Sequence, residues 1–186
     1  GKHKCHYFCS FYCLRHALNM NIKEALLKEH SKTQTLKIVT YVGNDKKLFA
    51  KLITLMLTAE YRIAQRAAWP VSYCVENNKD FIKPWFAKMI AKLQEENIHN
   101  AIKRNTLRVL EGAEIPEKHC GTLYDLSYAL LHNLKEPIAI RVFALSVLAN
   151  IAKKHPELKT EIIYKAESLL HGGIPALESR SKKGLK

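Results

Sequence analysis

Four prolines, Pro116, Pro137, Pro156 and Pro175, fall 19 to 21 residues apart, and each stands where a new helix can begin. Proline's fixed φ suits the first helical position, where a missing N–H costs nothing. From Asn21 onward, apolar residues recur at helical spacing over stretches of ~10 to 18 residues, divided by very short breaks. The other breaks carry the same punctuation. Asp45 precedes a helix over Lys46 to Thr58, and another follows over Glu60 to Asn77. Asp80 is placed to cap the next helix, with Pro84 in its first turn; Asn97 is placed to cap Ile98 to Glu111, and Gly112 ends that helix. The counting unit is one helix plus its turn. Pairing consecutive helices gives units at 22–43, 45–77, 80–112 and 116–154, then a terminal pair at 157–185.

The second helix of three units aligns on a basic residue followed by an apolar ladder: Arg66 in RAAWPVSY, Arg104 in RNTLRVLE and Arg141 in RVFALSVL, at intervals of 38 and 37 residues. The segments IAQRAAWPVSYCVEN and EPIAIRVFALSVLANIAKKHPELK resemble second helices of HEAT repeats, with Ala at close crossings and Leu, Val and Ile on the core stripe. One hairpin of this kind cannot bury its apolar face alone and must be covered by the next. The resemblance covers residues 21–186. It implies an all-α fold, a right-handed α-α superhelix of HEAT or armadillo type with about four to five hairpins. Two departures are expected to show in the structure. Pro70 lies well inside a helix, predicting a local bend. The first unit has Gln34 or Lys37 where the aligned arginine would stand.

Composition agrees. The chain has 186 residues, 47% of them apolar, with only 7 Gly and 6 Pro, which leaves little room for disorder or a turn-dense β fold. No apolar run approaches the ~18 to 20 residues of a membrane-spanning helix. Five cysteines, three of them crowded at Cys5, Cys9 and Cys13, suit a reducing compartment better than a disulfide framework. A cytoplasmic protein is expected. Residues 1–19 read as an extension outside the repeat domain of residues 20–186: they hold three Cys, three His, four aromatics and no acid. Their cysteines, with His16 near the same stripe, lack the paired spacing of structural zinc sites, and no metal ligand is assigned. The composition leaves open Met20 as a natural start and Gly1 as a cloning remnant.

No phosphate loop, G-x-G-x-x-G, G-x-S-x-G or H-E-x-x-H is present, so no catalytic residue and no cofactor is assigned. His99, His119, His132, His155 and His171 are scattered near helix ends, where capping or solvation accounts for them. Glu60 and Asp125 are isolated, and the neighbours Glu95 and Glu96 point apart on a helix. Lysine and arginine number 30 against 17 acids, a formal charge of +13 that favours acidic partners. Residues 44–135 carry 14 basic and 10 acidic side chains, so the middle of the stack is only mildly positive. Arg62, Arg66, Lys103, Arg104, Arg108 and Arg141 share the second helices and form the candidate binding set. Arg66, Arg104 and Arg141 can instead serve as a ladder bonding carbonyls and acids of the neighbouring hairpin, which leaves Arg62, Lys103 and Arg108 as the contact residues.

Three functional readings follow. The first is a non-enzymatic scaffold that binds a protein partner through its concave or end surface. The second rests on Trp69, Trp85, Tyr61, Tyr73, Phe81 and Phe86, which invite comparison with HEAT-like alkylpurine DNA glycosylases and so with nucleic-acid binding. No catalytic Asp stands beside either Trp, and aromatics at helical spacing are expected in the core. The third arises because the run from KEHSKTQTLKIVTYVGND through EYRIAQRAAWPVSYCVE resembles a small bacterial HEAT-like family, some of whose members carry an adenylosuccinate lyase label. Lyases of that kind share a mobile GSSxMPxKxN loop, and nothing like it occurs here.

Overall fold

The computed structural model describes residues 20–170. Among these residues lie nine α-helices and no strand: α1 (Ile22–Lys28), α2 (Lys32–Val42), α3 (Lys46–Thr58), α4 (Tyr61–Asn77), α5 (Phe86–Gln94), α6 (Asn100–Glu111), α7 (Glu117–His132), α8 (Ile138–Ala152) and α9 (Lys159–Leu170). Short 3-10 turns at Lys79–Trp85 and Pro156–Leu158 lead into α5 and α9. The helices pair as α1/α2, α3/α4, α5/α6 and α7/α8, with α9 opening a fifth unit. The boundaries match the units read from the punctuation.

Caps explain several of these starts. Asn21 accepts from the amides of Lys23 and Glu24, Ser31 from Gln34, and Asp45 from Lys47 and Leu48. Each satisfies first-turn donors that have no partner inside the helix. Gly43 ends α2 at φ 46°, a conformation that disfavours a side chain. Three local expectations are corrected. Asn78, not Asp80, caps the segment before α5, and Asp80 sits inside the 3-10 turn paired with Lys83 at 2.6 Å. Pro84 therefore belongs to that turn, and α5 begins at Phe86. Asn97 takes a left-handed φ of 58°, and His99 caps α6 by accepting from the Ala101 amide at 3.1 Å. Gly112 ends α6 as expected.

The second helices form the tighter layer, α2 against α4, α4 against α6, and α6 against α8. The first helices meet more loosely, through α1 with α3 and α5 with α7; between them Phe49 of α3 packs on Phe81 of the first 3-10 turn, centroids 4.9 Å apart. A stack whose second helices crowd closer than its first helices curves with the second helices inside. Ala64, Ala67 and Ala68 are buried where α4 crosses its neighbours, small enough to let the backbones approach. Pro70 stands inside α4, which runs on to Asn77, and it removes the amide that would bond to Arg66's carbonyl. One apolar core runs from Ile22 to Ala166. α8 is buried nearly all round because α6, α7 and α9 pack on it. No helix among the described residues is long and apolar enough to cross a membrane.

Candidate binding surface

The inner layer leaves one stripe of each second helix to solvent. It runs through Leu36 and Lys37 on α2, Arg62, Gln65, Trp69 and Tyr73 on α4, Arg104 and Arg108 on α6, and Ala139 and Phe143 on α8. Trp69, Tyr73 and Phe143 are only half-buried, and Tyr61 is 55% exposed. Phe81 and Phe86 do lie in the core, as their spacing predicts, but Tyr61 departs from that expectation. Its ring stacks on His99 at 4.9 Å, bridging the starts of α4 and α6.

The six basic candidates divide by what they touch. Arg141 is 4% exposed, and its Nε donates to the carbonyl of Leu131 at 2.9 Å, near the C-terminus of α7. Arg66 Nη1 donates to the carbonyls of Leu26 and Leu27, at 3.0 and 2.9 Å, closing the end of α1 in the preceding hairpin. Arg66 therefore occupies the ladder role between hairpins, whereas Arg141 braces the two helices of its own hairpin. Lys103, expected among the contact residues, instead forms an ion pair with Glu136 of the α7–α8 turn, both side chains largely withdrawn from water. Arg62 and Arg108 are exposed, Arg104 is half-buried, and none of the three has a partner among the described residues.

Other side chains on or just after the second helices also bond carbonyls near helix ends. Gln34 is buried and donates to the Ala25 carbonyl at 2.8 Å, so the first unit braces its own hairpin with an amide. Asn150 donates to the Leu110 and Ala113 carbonyls at 3.3 and 2.8 Å, and Lys154 to Ile115 at 2.6 Å. Helix ends leave carbonyls without partners, and these donors supply them.

Arg104 lines a recess of about 190 Å³ where the starts of α4, α6 and α8 converge. Tyr61, Gln65, His99, Pro137 and Ala139 complete its wall. Neither Glu60 nor Pro137 caps its helix with a side chain, so the first amides of α4 and α8 keep their donors beside this recess. Two helix N-termini and an unpaired guanidinium place positive charge at this recess, against the exposed Glu60 carboxylate at the start of α4. Leu27 near the end of α1, Leu134 in the α7–α8 turn and Ile138 at the start of α8 are exposed.

Burial pushes the Cys74 thiol up to about 12. Burial, followed by the Glu161 carboxylate, holds the Tyr124 phenol at about 12. Three side chains that the sequence leaves scattered do come together: Glu117, Cys120 and His155 bring one donor atom each to within 4.8 Å of one another. No spacing rule links a helix start to a loop 35 residues later, so only the packing of α7 against α8 reveals this group. Cys5, Cys9, Cys13 and His16 lie outside the described residues.

A family model described as HEAT repeat domain matches residues 22–183. The chain belongs to that family. Searches of curated proteins and of solved structures find no match. The HEAT match agrees with hairpins stacked in sequence order and fixes the molecule as a helical-repeat stack.

Proposed function

We propose that this HEAT repeat protein is a non-enzymatic scaffold whose inner face and hairpin-turn edge bind an acidic segment of a protein partner. The observation that carries the reading is the recess at Arg104: a guanidinium without a partner among the described residues, framed by Tyr61, His99 and helix starts that lack side-chain caps. A carboxylate entering there gains a charge-assisted hydrogen bond. Aromatic and aliphatic side chains around it supply apolar contact, and Arg62 and Arg108 extend the positive stripe on either side. Preformed helices avoid the ordering cost of association. Arg66, Lys103 and Arg141 contribute by holding the stack in shape rather than by touching the partner.

The positive stripe also supports nucleic-acid binding as a second reading, and one experiment separates the two. A photo-crosslinking residue is placed at Gln65 in the full chain, expressed in its native cell. The scaffold reading expects a protein adduct that is lost when Arg104 and Arg108 are both changed to Glu. A nucleic-acid adduct, or duplex affinity falling steeply with salt and a slope flattened by Arg62→Ala or Arg108→Ala, would replace that reading with the second.

A further inference from the structure

At the start of α7, on the side away from the Arg104 recess, Glu117 and Cys120 stand one helical turn apart. His155, just after α8, reaches toward both. His155 Nε2 lies 3.0 Å from Glu117 Oε1, and its Nδ1 lies 3.3 Å from Glu157 Oε1. The Cys120 thiol is buried, and its contacts with the Ile115 and Pro116 carbonyls are long, at 3.9 and 3.6 Å.

We propose that Glu117 Oε1, Cys120 Sγ and His155 Nε2 hold a divalent ion of the zinc class. Three considerations support the assignment. Carboxylate, thiolate and imidazole are the donor types zinc takes, and a tetrahedron with bonds of about 2.0 to 2.3 Å sets its corners roughly 3.3 to 3.6 Å apart. The His155 and Glu117 donor atoms lie 3.0 Å apart and all three fall within 4.8 Å of one another, so side-chain adjustments of about an ångström bring them to that spacing. The second consideration is Glu157. A ligating histidine commonly gives its other ring N–H to a carboxylate, which fixes the tautomer and aims the free nitrogen at the metal. Glu157 Oε1 lies 3.3 Å from Nδ1, near enough to take that place. The third is charge. The ion displaces the Cys120 proton to solvent, and the thiolate and the Glu117 carboxylate together offset its two positive charges. The fourth corner is left to water.

A protonated His155 bridging Glu117 and Glu157 would make the same two nitrogen contacts without any metal, and it would not need Cys120. The test therefore turns on the thiol. The full chain carrying Cys5→Ser, Cys9→Ser and Cys13→Ser is loaded with Zn²⁺, dialysed and assayed for bound metal; Co²⁺ then replaces zinc for absorption spectroscopy. The expected result is one ion per chain and a thiolate-to-cobalt charge-transfer band. Cys120→Ser should abolish the band, His155→Ala should abolish retention, and Glu157→Gln should weaken affinity about 10- to 100-fold. If Cys120→Ser fails to fold by far-UV circular dichroism, Glu117→Gln and His155→Ala at the surface decide instead. No retained ion in the parent overturns the proposal, as does retention unchanged by these substitutions.

Discussion

Replacing Arg141 by methionine keeps most of the side chain's volume and removes its donor. In the native stack the guanidinium is buried, no carboxylate among the described residues pairs with it, and its Nε closes the Leu131 carbonyl at the end of α7. Loss of a hydrogen bond from a charged donor costs about 1.5–3 kcal/mol, the more so when the acceptor stays buried. The favourable placement of a cation at a helix C-terminus is lost as well, worth about 0.3–1 kcal/mol. Arg141→Met should therefore destabilise by about 2–4 kcal/mol, and Arg141→Ala by more, about 3–5 kcal/mol, because a cavity is added. For a chain of this size the methionine variant should melt about 4–16 °C lower. Urea unfolding followed by far-UV circular dichroism gives the free energy, and amide exchange at the α7 C-terminus localises it. A methionine variant within about 0.5 kcal/mol of the parent, at unchanged slope, would show that burying this cation costs as much as its hydrogen bond returns.

Three other outcomes are expected. Lys103→Ala leaves Glu136 buried without its cation and should cost about 3–5 kcal/mol, whereas Lys103→Met with Glu136→Leu should recover most of the loss in the same urea assay. His119 has its pKa lowered by burial and then by Lys118, and its ring stacks on Phe86 at 5.8 Å. Its stabilising contribution is thus fully present above the unfolded value of about 6.5 and is lost as pH falls through the lower folded value; His119→Phe should flatten melting temperature against pH on the acid side of neutrality. Cys74, held near 12 by burial, should resist alkylation at pH 8 in the folded chain and react on unfolding, as read by mass spectrometry of the modified peptide.

Prolines, caps and apolar spacing made the hairpin order legible because each acts within one turn of its own residue. Asp45, Gly112 and Pro137 mark helix ends without help from the rest of the chain. Where two candidate caps compete, local chemistry is not enough: Asn78 takes the turn that Asp80 also suits, because Asp80 is drawn to Lys83. The site was less legible. Arg66, Arg104 and Arg141 align in sequence but differ in what they touch: two of these end on carbonyls, and only Arg104 reaches the exposed stripe. That division depends on which helix ends lie opposite, a property of the stacking. Lys103 and Glu136 are joined across hairpins, and Glu117, Cys120 and His155 by the packing of α7 against α8; no short-range spacing reports either group.

The reach of Arg66 back to α1 has a mechanical corollary. A seven-residue helix is too short to persist alone in water. Clasped by the hairpin that follows, its end cannot peel away without breaking its bonds to that neighbour, and Asn150 and Lys154 tie the third unit to the fourth in the same manner. Such stitching strengthens coupling between units relative to the stability of each, so the array should come apart in one concerted event rather than unravel from its tips.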